Sequence, residues 1–307
     1  MKPLKWDKDH DEFFAVHGRK QRVFCSSLSD VFDNAVDPQW RADLFALIAA
    51  TPNLDWLLLT KRIGNAQDMI AEAIRATGKD WPWSNVWLGV TVVNQEEADR
   101  DIPKLIATPA AKRFLSIEPM LSAINLRHLN KDQETNELDC LEPYLWEREV
   151  EQWRGTSDDW EAEFKDWHDR PVAEATGPMH AKVDWVIAGG ESGPRARPSH
   201  PDWYVSLRDQ CRQAGTPFLF KQWGEWLPNG QQPVDHSYSA DEMFGRKRNE
   251  KHDKDPSVKC LIMYTDGSSH ELDEAGLFTQ SLTIVSNVGK KCAGRYLDGF
   301  EHNGTPS

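Results

Sequence analysis

Glu118 and Glu191 each stand just past a short apolar run, in "KRFLSIEP" (112–119) and "VDWVIAGGES" (183–192). Asp30 holds the same place at the end of "QRVFCSSLSD" (21–30). Carboxylates so placed permit acid–base work of the kind a pair of Asp or Glu side chains performs at a glycosidic bond. These three are the candidate catalytic residues. Beside them, at equivalent positions, come Ser29, then Lys61 and Arg62 after "LDWLLLTKR" (54–62), Asn94 after "NVWLGVTV" (85–92), and Lys221 within "PFLFKQWGEW" (217–226). A lysine here could depress a carboxylate pKa or bind an anion. Gly189, Gly190 and Ser192 follow the fifth run, and Arg195 and Arg197 lie just beyond it. The glycines clear space for a ligand or a second backbone. The arginines are spaced to hold a carboxylate or phosphate.

Every one of these groups ends an apolar run, so the runs are what must position them. There are six, short and rich in β-branched and aromatic residues, without clear alternation. Strands buried on both faces of a parallel sheet read this way. Between most of them the pattern turns helical. "DPQWRADLFALIAATP" (37–52) places Trp40, Leu44, Leu47 and Ile48 on one side, with Asp37 as cap and Pro38 in the first turn. "NAQDMIAEAIRA" (65–76) carries an apolar stripe, and so does "HPDWYVSLRDQCRQAG" (200–215), with Trp203, Leu207 and Cys211. "NQEEADRDIPKLIA" (94–107) is weaker, because Pro103 should break or kink it. Strand–helix–strand units at these lengths, without a nucleotide-binding glycine fingerprint, predict an α/β fold, a partial parallel (β/α) barrel of six visible strands. In such barrels the polar strand C-termini form the site. His200 opens the last helix; no second histidine is spaced with it as a ligand, so a solvated histidine is expected and no metal site.

The barrel is expected over residues 1–227, with an acidic helical insertion at 127–182 and an irregular appendage over 228–307. Trp146, Trp153, Trp160 and Trp167 recur every seven positions in the insertion, which returns each to nearly one helix face. Residues 130–180 hold 15 acidic and five basic side chains, most of the chain's net charge of −13. That segment could dock a protein partner, a basic one given its charge. "VKCLIMYTDGSSHEL" (258–272) reads as a hairpin around Asp266-Gly267. The basic stretches "RKQR" (19–22) and "GRKRNEK" (245–251) carry no recognised reading motif, and a nucleic-acid role stays open. No apolar run reaches membrane-spanning length, and the start lacks a signal-peptide core, so no membrane is expected and the chain reads as cytoplasmic. The five cysteines (Cys25, Cys140, Cys211, Cys260, Cys292) are scattered, which suits a reducing compartment.

In order, "SLSDVFD", "LLLTKR", "NVWLGVTVVNQ", "FLSIEPML", "DWVIAGGESGPRARP", "RDQC", "FLFKQWGEW" and the tail "GKKCAGRYLDG" resemble the phage protein Gp thirty-seven/Gp sixty-eight family, a family of unknown function that looks distantly related to radical S-adenosylmethionine enzymes. The resemblance covers roughly residues 19–227 and 288–300. It implies S-adenosylmethionine and an iron–sulfur cluster as cofactors. It also implies a closely spaced cysteine segment upstream of "SLSD", which none of the five cysteines replaces by spacing. "PLKW" near Met1 resembles the segment that follows the missing unit. The expectation is therefore a truncated or misassigned start, a separate chain supplying the cysteine motif, or a degenerate relative. Without that motif the chain would be incomplete as an enzyme. Two other readings stand beside it: a cluster-independent hydrolase using Glu118 and Glu191, and a non-catalytic module docking a partner through the insertion.

Overall fold

The computed structural model describes residues 2–25, 29–130, 138–141, 181–231, 259–271 and 282–306. Two helices, α1 (Lys2–Lys8) and α2 (His10–His17), precede the first strand. Then strands and helices alternate: β1 (Gln21–Cys25), α3 (Pro38–Ala49), β2 (Leu54–Thr60), α4 (Ile63–Ile74), β3 (Val86–Thr91), α5 (Gln95–Ala107), β4 (Lys112–Ile117), β5 (Trp185–Gly189), α6 (Pro201–Gln213) and β6 (Phe218–Gln222). The six strands pair in sequence order, all parallel, in one curled half-barrel sheet. This is the predicted α/β partial barrel, and all six apolar runs supply its strands.

The sheet buries both faces, which is why its strands do not alternate. Leu58, Val90, Leu115, Val186 and Phe220 pack outward with Ile48, Ile70, Ile102 and Leu207 of the helices. Leu57, Trp87, Phe114, Trp185 and Ile187 form a second cluster on the inner face. The barrel interior is therefore filled by side chains, and the strands' C-terminal mouth is where polar groups collect.

The helices form largely as their sequences imply, with two instructive departures. Asp37 caps α3 by accepting from the Gln39 N–H at 2.8 Å, and Pro38 occupies its first turn. The buried face of α3 is Arg41, Phe45 and Ile48, however, and the expected Trp40 is 70% exposed. Arg41 turns inward because it donates to the Val31 carbonyl at 3.0 Å and the Asp33 carbonyl at 3.3 Å, in the loop that leaves β1. Helix α5 continues past Pro103 without a break, the second departure. Its buried stripe of Ala98, Ile102, Leu105 and Ile106 outweighs the missing backbone donor.

The expected helices of the insertion lie outside the described residues. Its roots are described and pinned: Leu129 bridges Leu138, and Arg127 pairs with Asp139 at 2.9 Å. The C-terminal part carries more regular structure than its sequence conveys. Strands β7 (Trp226–Pro228), β8 (Cys260–Tyr264), β9 (Ser269–Glu271) and β10 (Leu282–Asn287) make an antiparallel sheet in the order β7-β10-β8-β9, and a short helix α7 (Lys290–Ala293) follows. The hairpin expected around Asp266-Gly267 is β8–β9.

Beyond α7 the chain returns to the barrel. The Phe220 N–H donates to the His302 carbonyl at 3.0 Å and the Gly304 N–H to the Phe218 carbonyl at 2.9 Å, so the tail lies along the outer edge of β6. Trp185 Nε1 then donates to the Gly304 carbonyl at 2.7 Å, and Arg22 Nη2 to the Pro306 carbonyl at 2.8 Å. Arg22 belongs to β1, at the opposite edge of the sheet. Its guanidinium lies 4.8 Å from the Trp87 ring and 5.5 Å from that of Trp185. The tail thus spans the base of the half-barrel from its last strand to its first. No helix among the described residues is long and apolar enough to cross a membrane.

Candidate functional site at the barrel mouth

Because the six strands run parallel, their C-termini share one end of the sheet, and every candidate residue sits at or just beyond that end. The structure sorts these residues into two kinds: those spent on holding loops and those turned to the mouth.

Asp30 is of the first kind. Its Oδ1 accepts from the Phe32 N–H at 2.9 Å and the Thr60 hydroxyl at 2.7 Å, and its Oδ2 from the Lys61 N–H at 2.8 Å. It ties the loop after β1 to the end of β2. Arg62 pairs with Asp33 at 2.8 Å and belongs to the same knot. Asn94 is the cap of α5, accepting from the Glu97 N–H at 2.9 Å, while Glu97 accepts from the Val93 N–H at 3.1 Å. Because Glu97 reaches back to the residue before the cap, this is a capping box shifted by one position, a sufficient local reason for both residues. The Ser192 hydroxyl accepts from Gln222 Nε2 at 3.0 Å, joining the loops after β5 and β6. Ser29 and Lys61 are exposed.

The two glycines have a specific task. A Cβ at Gly190 would stand 1.9 Å from the Trp223 carbonyl oxygen, and one at Gly189 2.6 Å from Glu118 Oε1. The close approach anticipated at this turn is made by a second backbone and by the Glu118 carboxylate. Glu118 thus folds back over the end of β5 and reaches β6, where Lys221 Nζ meets its Oε2 at 3.0 Å. The Glu118 side chain is 16% exposed and that of Lys221 57%. The pair faces the mouth with the inner-face cluster below it. Tyr204, wholly buried behind it, has its phenol pushed up by burial, and the Glu118 charge adds to this against the Ser199 hydrogen bond.

Glu191 is bound differently. Arg197 grips it with Nε at 2.8 Å from Oε2 and Nη2 at 2.9 Å from Oε1, and the Arg197 N–H adds a third bond at 2.8 Å. The guanidinium, and then the N–H, hold the Glu191 carboxyl below the usual carboxylate range despite its partial burial. A carboxyl so held stays ionised, which suits anchoring and opposes service as a general acid. Arg197, expected to bind a ligand, is occupied by this fork; Arg195 is exposed.

His200 is not the solvated histidine expected. It is 1% exposed, accepts from the Asp202 N–H through Nδ1 at 3.2 Å, and leaves Nε2 without a partner. Burial lowers its pKa against the pull of Asp202, so it caps α6 as a neutral ring. Glu225, Lys290 and Lys291 are not among the residues the sequence points to as a site. Glu225 Oε1 accepts from the Gly193 N–H at 3.0 Å and Oε2 from the Lys290 N–H at 3.2 Å, which brings the "GKK" tail to the mouth. The Trp223 N–H donates to the Gly294 carbonyl at 3.1 Å and its Nε1 to the Tyr296 carbonyl at 2.7 Å. Nothing in the sequence itself joins "KQWGEW" to "GKKCAGRY"; the contact is made by main-chain atoms, the Trp223 indole and one carboxylate.

The cysteines do not fit an iron–sulfur cluster. Cys140 and Cys211 are buried, Cys25 ends β1, Cys260 lies in the antiparallel sheet, and Cys292 is exposed on α7. Among the described residues no three Cys, His, Asp or Glu side chains gather as a metal-binding group. Burial raises the Cys25 thiol to about 11 and that of Cys211 to about 12.

A protein-family model described as "Protein of unknown function (DUF5131)" matches residues 1–306. No curated protein and no solved structure matches the chain.

Proposed function

Because the chain belongs to this uncharacterised DUF5131 family, its role has to be read from its own site, and we propose that it is a ligand-binding (β/α) half-barrel taking a small zwitterion at its C-terminal mouth. The observation that carries the reading is the Glu118–Lys221 pair, one acid and one base side by side on the ends of β4 and β6. An amino-acid head group matches it charge for charge. The ligand ammonium would meet Glu118 and the ligand carboxylate Lys221. A half-exposed ion pair is worth only about 0–1 kcal/mol, so exchanging it for two intermolecular contacts sacrifices little.

The ligand this favours is S-adenosylmethionine, which ends in such a head group. The resemblance of the strand-end motifs to phage-associated, radical S-adenosylmethionine-like proteins supports the same choice. Redox chemistry is not assigned to this chain's own cysteines. A partner or an upstream segment carrying a cysteine motif would have a place to dock, since β1 pairs only with β2 among the described strands and its Phe24 is 45% exposed. Such a unit would complete the enzyme. The hydrolase reading loses support from the Arg197 grip on Glu191, and the reading based on the acidic insertion lies outside the described residues.

Equilibrium dialysis with radiolabelled S-adenosylmethionine tests the proposal. Saturable binding is expected, and E118Q and K221M should each weaken it about tenfold or more, with unchanged circular dichroism. Equal affinity in both variants, or no saturable binding by the parent protein, would overturn it.

A further inference from the structure

The loops after β5 and β6 and the segment leading into α7 form one stitched rim on the mouth. Glu225 holds it together through its carboxylate bonds to the Gly193 and Lys290 N–H groups. Its own N–H donates to the Glu191 carbonyl at 3.0 Å, and Trp226 Nε1 donates to the Ala196 carbonyl at 2.7 Å. The Ala196 N–H closes a turn onto the Gly193 carbonyl at 3.1 Å, and Arg195 sits in that turn. Arg195, two residues past one Glu225 bond, and Lys290 and Lys291, at the other, are thus carried on one rim; all three are exposed, and none makes an ion pair among the described residues. The nearby acids are already engaged: Glu191 by Arg197, Glu118 by Lys221, and Glu225 by backbone donors. Glu225 keeps its own negative charge, so the three basic groups outnumber the one unpaired acid of the rim; in a chain of 49 acidic and 36 basic side chains that is a local reversal of its field.

We propose that Arg195, Lys290 and Lys291 bind the phosphate of a phosphate-bearing substrate whose remaining part reaches toward the Glu118–Lys221 pair. This rests on the reading of the mouth as a ligand site and names the substrate that would meet the small zwitterion there. A guanidinium offers a planar fork to phosphate oxygens, and two ammonium groups add point charge. The stitched backbone fixes the points from which the three side chains extend, so the ordering cost of binding falls on the side chains alone. The phosphate can be the monoester of a small molecule or the diester backbone of a nucleic acid.

Fluorescence anisotropy with a labelled single-stranded 20-nucleotide DNA, and calorimetry with adenosine 5′-monophosphate, test this on the full chain. The R195A/K290A/K291A variant should weaken binding of the recognised phosphate about tenfold or more. For the oligonucleotide, log K against log salt should fall with a slope of about −2 in the parent, three contacts at about 0.7 each, and flatten in the variant. Binding of both probes identifies a phosphate monoester as sufficient; binding of the oligonucleotide alone identifies the diester backbone. A K2A/K5A/K8A variant, which removes equal charge from α1, should bind as the parent does. Equal loss in that control, no loss in the rim variant, or no binding of either probe would overturn the proposal. S-adenosylmethionine affinity, read on the K290A/K291A protein, should persist, so failure of the zwitterion reading and failure of the rim show separately.

Discussion

Glu191 shows how much a single side chain's partners decide. Its carboxyl is depressed in the folded protein by Arg197, so the grip contributes stability above the ordinary unfolded-state pKa of about 4.3 and loses it as pH falls through the lower folded value. R197Q should therefore be less stable than the parent at neutral pH, by about 1 kcal/mol or less for so exposed a pair. The difference should close as both proteins are acidified, as urea melts at stepped pH would show. A constant difference at every pH would mean that Arg197 acts through packing alone. Sequence exposed the types of these residues and their place after the strands, but not their commitments. Asp30 and Asn94 have the composition of ligand groups, yet both bond to backbone within or beside their own loops. Local capping and ligand binding use the same atoms, so residue type cannot separate them. The burial of His200 escapes the sequence for a related reason. Its burial depends on chain that packs over α6 from afar, including the β8–β9 turn, whose Thr265 carbonyl accepts from Trp203 Nε1 at 2.8 Å.

Among the elements, strand ends were legible and helix faces less so. The parallel strands declare themselves because both faces are buried and every position can be apolar. Helix α3 is apolar around much of its circumference, and the Val31 and Asp33 carbonyls of the preceding loop, rather than periodicity, select the Arg41 side for burial. The β5 terminus makes the sharpest prediction at this scale. G190A places a methyl against the Trp223 carbonyl, a group fixed by its neighbours' hydrogen bonds on both sides. The variant should lose about 2 kcal/mol or more in chemical denaturation, because backbone must move. Unchanged stability would show that the loops after β5 and β6 are not locked together, and the rim on the mouth would lose its rigidity with them.

For the whole molecule, the sequence announced a barrel but not how an incomplete one is finished. Neither α1 and α2 nor the antiparallel sheet produces a pattern as strong as the buried strands do. The strap of residues 302–306 has no periodicity at all, because it binds through main-chain atoms. Removing it should expose the β6 edge, leave Trp185 Nε1 and Arg22 short of acceptors, and lower stability by about 2–4 kcal/mol. Sedimentation of the shortened protein should also show self-association through the bared edge. A monomer of parental stability would mean the strap is incidental.

Arg22 and Pro306, which meet at the base, are 284 positions apart. A ribosome adding about 5–20 residues per second would finish the second of them roughly 15–60 s after the first. Even once Trp87 and Trp185 have been made, the cradle they form with Arg22 has nothing to close it until the last residues emerge. The molecule must therefore wait with one seam open, and whatever holds newly made chains in the cell meets it in that state.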